Sequence, residues 1–195
     1  MSAPLPASNA ATAGTCYKYQ YLYSDNVGNQ ATYTSNSVAK VLDPATAVVL
    51  GDDDSSSAMF SLTGLIPGSM GEKCIAVTYT GTVAANVELY LPTASYTGTG
   101  LGSYVDMTIE EGTGGSFAGG CTGFAATGGA PVYSGTLANF AATRNTYATG
   151  FGTFAPSGGP PSTTRVYRFT YRVRGDNAAQ GLNSSATFTW QAQDS

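Results

Sequence analysis

Histidine is absent from this 195-residue chain, and its absence removes much familiar chemistry at once. Without an imidazole there is no His-Glu-x-x-His zinc site and no usual base for a serine or cysteine nucleophile. Charge is scarce as well. Asp, Glu, Lys and Arg make up 10% of the residues, against roughly 25% in ordinary soluble domains. Eight basic and twelve acidic residues leave a net charge of −4. Arg165, Arg168, Arg172 and Arg174 form a local stripe, but there is no wider basic face of the kind nucleic-acid binding needs. No run approaches the roughly 20 apolar residues of a membrane span, so no membrane insertion is expected. Met1–Pro4 has neither the basic nor the apolar region of a signal peptide, which places any export signal outside these residues.

Other catalytic apparatus is thin. The lysines are Lys18, Lys40 and Lys73, and none sits in a Ser-x-x-Lys frame or a phosphate loop. Glu88, Asp106, Glu110 and Glu111 supply carboxylates for a glycosidase-type pair, but all four fall on or beside the polar faces of predicted strands, where solvated carboxylates are ordinary. Asp52, Asp53 and Asp54 lack the alternating Asp-x-Asp-x-Asp-Gly frame of a calcium loop and read as a solvated acidic loop. No cofactor is expected, and the chain reads as a non-enzyme.

What the chain does carry is alternation. Residues 1–13 are Pro, Ala, Ser, Thr and Asn without period, a flexible lead. From Cys16 the tyrosines Tyr17, Tyr19, Tyr21 and Tyr23 recur at every second position, a strand signal. Asp25-Asn26-Val27-Gly28-Asn29 favours a turn, and a second strand follows, so residues 14–42 predict a β-hairpin. The tyrosines read as its buried face rather than as a sugar platform, since an exposed stripe of that size would be sticky. A lone hairpin is marginal in water. It must dock on the following domain or pair with strands of another chain. Residues 43–57 read as a linker.

From residue 58 to 195 the pattern predicts one further domain. Phe60 and Leu62 alternate before a Leu65-Ile66-Pro67-Gly68 turn. Ile75, Val77 and Tyr79 share a face, as do Val87, Leu89 and Leu91, then Val105, Met107 and Ile109, then Tyr167, Phe169, Tyr171 and Val173. Phe188 and Trp190 point one way near the end, towards a core rather than a ligand. Residues 138–147 hold the one short helical pattern, and 112–129 form a Gly-rich loop. Short amphipathic strands between turns predict an all-β fold, an antiparallel sandwich or jelly roll with an N-terminal β-hairpin. Cys16, Cys74 and Cys121 show no CxxC or zinc spacing. Either one disulfide and one leftover thiol, or three reduced core thiols, satisfies that count.

The segment Cys16-Tyr-Lys-Tyr-Gln-Tyr-Leu-Tyr-Ser-Asp-Asn-Val-Gly-Asn29 resembles the last two strands of bacterial immunoglobulin-like and fibronectin-type repeats. Three later stretches, Phe60-Ser-Leu-Thr-Gly-Leu-Ile-Pro-Gly68, Cys74-Ile-Ala-Val-Thr-Tyr-Thr-Gly81 and Ala84-Ala-Asn-Val-Glu-Leu-Tyr90, resemble the camelysin-like, TasA-type family. The closing Tyr167-Arg-Phe-Thr-Tyr-Arg-Val173 and Ala186-Thr-Phe-Thr-Trp190 extend that likeness over residues 58–193. The resemblance implies a secreted β-sandwich at the cell surface or outside the cell. One branch carries a peptidase label, which the missing histidine disfavours. The other builds matrix fibres in which a segment of one subunit completes the sheet of the next. Tyr17, Tyr19, Tyr21 and Tyr23 would then mark a self-association strand, with copies of the chain or neighbouring surface domains as partners. A terminal adhesin module binding glycan or protein is the alternative. Within the resemblance Cys74 and Cys121 form the preferred disulfide. Cys74 points away from Ile75 and Val77, the Gly-rich loop can bring Cys121 over it, and Cys16 is left over.

Overall fold

The structure, a computed structural model, describes residues 16–17, 20–24, 30–34, 39–40 and 47–195. The chain divides into two units, Met1–Thr46 and Ala47–Ser195. In the first, β2 (Gln20–Ser24) and β3 (Gln30–Thr34) pair antiparallel with Tyr21 opposite Tyr33. β1 (Cys16–Tyr17) pairs with β4 (Ala39–Lys40). Two residues, 18–19, separate the ladders on the outgoing side and four, 35–38, on the return, so the register shifts between them. The hairpin expected from the tyrosine alternation is thus present in the backbone. The lead at 1–13, Tyr19 and the face taken by the tyrosine side chains lie outside the described residues.

The second unit is an antiparallel β-sandwich. Its strands are β5 (Leu50–Asp52), β6 (Met70–Tyr79), β7 (Ala85–Tyr90), β8 (Tyr96–Gly98), β9 (Val105–Thr113), β10 (Ala125–Ala126), β11 (Tyr133–Thr136), β12 (Phe151–Phe154), β13 (Thr163–Val173), β14 (Ser184–Ala186) and β15 (Thr189–Asp194). The larger sheet has six strands in the order β10-β9-β13-β6-β5, with β11 beside β10 on the outer edge of β9. Facing it is a three-stranded sheet, β12-β7-β15, and β8 pairs with β14 apart from both. The long strands follow the period-two pattern. Ile75, Val77 and Tyr79 of β6 lie in the core, with Tyr167 and Phe169 of β13 and Met107 and Ile109 of β9. Ala85, Val87 and Leu89 of β7 close on them from the second sheet, and all three are buried.

Two connections complete the core. Helix α1 (Leu137–Thr143) begins where the Thr136 hydroxyl accepts the Asn139 amide at 3.1 Å, an N-cap that satisfies an orphan donor of the first turn. It buries Phe140 edge-on against Tyr133, Phe151 and Phe188. The helical pattern expected over 138–147 stops at Thr143, because Arg144 leaves helical geometry and Thr146–Thr149 forms its own capped turn. The second connection is the Gly-rich loop after β9. Gly114 there has φ +76° and runs so close to the Gly123 carbonyl that a Cβ would sit 2.2 Å from that oxygen. Only glycine fits both demands. The loop folds over the outer face of the sheet, and Cys121 is joined to Cys74, with Cα atoms 5.1 Å apart.

Two expectations change. The linker assigned to 43–57 is not one from residue 47 onward. Leu50–Asp52 is β5, paired with the end of β6, and Ala47 and Val49 accept amides from Thr82 and Thr80. Residues 43–46 lie outside the described residues. The Phe60/Leu62 alternation does not make a strand. No neighbouring strand offers it a ladder, and Phe60 instead packs edge-on against Tyr171, ring centroids 5.1 Å apart.

The disulfide gives a direct test. Its sequence separation is 47 residues, a loop whose closure is worth about 4 kcal/mol in the chain-entropy account. Urea unfolding with and without dithiothreitol should show a loss of that order on reduction, with near-native β content retained in the absence of denaturant.

Candidate functional site

The strongest polar feature of the second unit is a carboxylate inside the sandwich. Glu111 follows Met107 and Ile109 on the inward side of β9 and is 4% exposed. Its Oε1 accepts the Thr153 amide at 2.9 Å, and its Oε2 accepts the Thr153 hydroxyl. Thr153 belongs to β12, the edge of the small sheet. A carboxylate of the large sheet therefore satisfies an edge amide of the small one, and the two layers are tied by charge-assisted hydrogen bonds. The expectation that Glu111 lies with the solvated carboxylates is overturned. By parity with Ile109 its side chain can only point inward.

Around this clamp the environment is partly titratable. Tyr167 sits opposite Glu111 in the β13–β9 ladder. Its hydroxyl is buried with no hydrogen bond of ordinary geometry, and burial first, then the Glu111 charge, push the phenol well above its usual range. Glu88 lies on the outward side of β7. Burial, then Glu111, raise its carboxyl, while the Arg144 guanidinium opposes the rise. Glu88 and Glu111 are thus the electrostatically linked pair among the four carboxylates. Both oxygens of Glu111 accept from Thr153.

The other two carboxylates are paired. The Arg168 Nε and Nη2 both donate to Glu110 Oε2, at 2.8 and 2.6 Å, and Arg174 does the same with Asp106 Oδ1 at 2.9 and 2.6 Å. Arg168 also lies over the Phe124 ring, 4.7 Å from its centroid. Two arginines of the stripe, Arg168 and Arg174, are thus paired with carboxylates in place.

The acidic triplet also does something other than the sequence implied. Asp52 and Asp54 make Asx-type turns, accepting the Asp54 and Ser56 amides. Asp53 is structural. Its two oxygens accept the Ala76 amide of β6 and the Phe117 amide of the disulfide loop, both at 2.8 Å. It replaces β5 where that strand ends, so it is not a solvated residue. Nothing in its sequence neighbourhood signalled this, because both partners are distant in the chain.

Beyond Ala76 that edge of the large sheet has no strand among the described residues. β5 pairs only with residues 77–79, whereas β13 pairs with residues 70–79 on the other side. Thr80 donates to Val49, so the even-numbered amides of β6 point away from β13. Among the described residues no backbone partner meets those of Met70 and Glu72. Exposed apolar side chains mark the same edge: Met70 on β6, and Val48 and Val49 ahead of β5.

No protein-family model matches this chain, and no curated protein is similar to it.

The clamp predicts two responses. Glu111→Ala removes the acceptor of the Thr153 amide and hydroxyl, which water can partly replace because Thr153 is exposed, and should lower stability by about 1–2 kcal/mol, while Glu111→Gln, which keeps an acceptor, should lose roughly half of that. Denaturant midpoints decide between them. Glu88 gives a pH-dependent response. Because its folded pKa lies above the ordinary 4.5, its ionisation destabilises the fold at neutral pH, and the penalty fades as pH falls towards 4.5. Glu88→Gln should therefore raise the melting temperature at pH 7 by about 1–2 °C, with the difference gone at pH 4.

Proposed function

We propose that this protein is an extracellular structural subunit that joins to copies of itself by strand addition, and that it does no catalysis. The observation that carries the reading is the half-paired β6. A ten-residue strand at a sheet edge, whose outward amides at Met70 and Glu72 meet no backbone partner among the described residues and which carries the exposed Met70 there, is a template for another chain's backbone. The same sequence supplies a tyrosine-bearing ribbon at residues 14–42 that is too small to bury its own apolar surface. Donor and acceptor are then parts of one polypeptide, as a fibre-forming subunit requires.

Three further observations agree with this reading. Net charge is low and hydroxyl and amide residues are abundant, so little repulsion opposes side-by-side packing. The Cys74–Cys121 bridge is compatible with an oxidising compartment. The described residues include no helix long and apolar enough to cross a membrane. The resemblance to matrix-fibre proteins points the same way. The non-catalytic part of the reading is supported by the missing histidine and by the engagement of Glu111, Glu110 and Asp106 with partners in the fold.

The test uses the direction of one amide. In Glu72→Pro the removed N–H is the one that points to the open edge, so the β13 ladder is untouched. Loss of the 3.9 Å contact between Glu72 and Arg168 costs at most about 1 kcal/mol at the surface, and Glu72→Ala controls for it. The wild-type chain and Glu72→Ala should form concentration-dependent assemblies in size-exclusion chromatography and negative-stain microscopy, and Glu72→Pro should remain monomeric with an unchanged circular dichroism spectrum. A wild-type chain that stays monomeric at every concentration would sink the proposal.

A further inference from the structure

The edge of β6 is open over only part of its length, and what closes the rest is tied down by the disulfide. A strand added to a sheet lies about 4.8 Å from its neighbour, with its carbonyls meeting the outward amides. At Ala76 that place is taken. Asp53 Oδ1 accepts the Ala76 amide at 2.8 Å, where the carbonyl of an added strand would stand, and Oδ2 accepts the Phe117 amide at the same distance. Phe117 is thereby drawn alongside β6, and the Lys73 ammonium lies over its ring, 4.3 Å from the centroid. A strand pairing with Met70 and Glu72 cannot continue to Ala76 without displacing both Asp53 and Phe117.

Three ties hold Phe117 there, and they differ in strength. The Lys73 contact and the Asp53 bond are single non-covalent interactions, each of modest net worth. The third is covalent. The Cys74–Cys121 bridge anchors the loop to β6 itself, and the loop closes tightly on that anchor. The Ser116 amide donates to the Gly120 carbonyl at 2.9 Å, and a Cβ on Gly115 would touch the Cys74 sulfur at 3.4 Å. Gly114, Gly115, Gly119 and Gly120 flank Phe117 in the chain. Once freed, such a loop gains conformational entropy that two weak contacts do not offset.

We infer that the bridged loop is a redox-gated guard on the β6 edge: oxidised, it confines strand addition to Met70 and Glu72, and reduced, it frees Cys74 and Ala76 as well. This rests on the strand-addition reading and supplies the regulation of that same edge. The reductant is a dithiol. Cys74 is fully buried and Cys121 only partly so, so the entering thiolate attacks the Cys121 sulfur and Cys74 leaves as a thiolate that takes a proton from water. The second thiol of the reagent then closes on the first as a cyclic disulfide and releases Cys121, which is protonated in turn. Two electrons and two protons pass to the protein. The outward groups of four alternate residues then face a second chain in place of those of two.

Hydrogen exchange and assembly are read on the full chain. On reduction the Ala76 and Phe117 amides should exchange at least tenfold faster, while the odd-numbered β6 amides that face β13 keep their protection. This readout holds in the monomer. In size-exclusion chromatography over a concentration series, reduced wild type should assemble at a concentration at least tenfold lower than the bridged chain, the worth of one or two added hydrogen bonds. Cys74→Ser/Cys121→Ser should do the same without reductant, leaving Cys16 as it is. Ala76→Pro in that background removes one of the freed outward donors and spares the β13 ladder. It should return assembly to the concentration of the bridged chain, which separates edge pairing from general aggregation. Unchanged exchange at Ala76 and Phe117 on reduction, or equal assembly with and without the bridge, would overturn the guard and leave strand addition standing. Chains that stay monomeric in both forms would overturn strand addition and the gating with it.

Discussion

The second unit is governed by a mismatch between its two layers. Burial of apolar surface drives a sandwich together, and it works best when two sheets of equal width face each other. Here six strands face three. The excess apolar surface of the large sheet has to be covered by something other than strands. Helix α1 covers part of it through Phe140, and the segments before β6 and after β13 cover the rest. Side chains from irregular segments do not interdigitate with a pleated face as strands do, so the cover leaves space beneath it. The same narrowness leaves little to hold the layers in alignment. The contact between Glu111 and Thr153 does that by binding the edge of the small sheet to an inner position of the large one.

The two sides of the large sheet are stabilised differently. Inside, close packing dominates: Tyr167 and Phe169 of the central strand β13 meet Trp190 and Phe188, with ring centroids 4.9–6.0 Å apart. Outside, the sheet is too polar for a second layer. Its cover is the glycine loop, fixed by the disulfide at Cys74, by the Arg168 stack on Phe124, and by Asp53 bonding Phe117. A loop so rich in glycine has high conformational entropy when free. A covalent tie is the efficient way to hold it, because the bridge acts on the unfolded ensemble rather than through contacts glycine cannot make.

How legible this was depended on strand length. β6, β7, β9 and β13 announce themselves because each alternates over six residues or more, long enough for a period-two pattern to exceed chance. β8, β11, β12 and β14 read Tyr-Thr-Gly, Tyr-Ser-Gly-Thr, Phe-Gly-Thr-Phe and Ser-Ser-Ala, and nothing in such short polar runs marks a strand. They are strands because a neighbour offers a ladder. Phe60 and Leu62 show the converse, since they alternate but no ladder reaches them. Glu111 was readable in principle. Parity placed it inward, and the habit of treating a glutamate as solvated overrode the pattern. Asp53 was not readable, because its function is defined by Ala76 and Phe117, which only the fold brings near. The buried indole N–H of Trp190 was equally hidden, since alternation gives the side of a strand but not the partners of an atom.

A sandwich that stops short on one edge and is loosely covered on one face has two places where it is incomplete, and they call for different occupants. The edge exposes backbone, which another backbone satisfies best, because amides and carbonyls at fixed spacing match only a strand. The cavity is walled by mostly apolar side chains and suits a peptide poorly, because a peptide would bring a polar group every few ångströms into it. Stability therefore does not require one partner to serve both. The Glu111 clamp, close to neither, keeps the layers aligned whichever of them is filled.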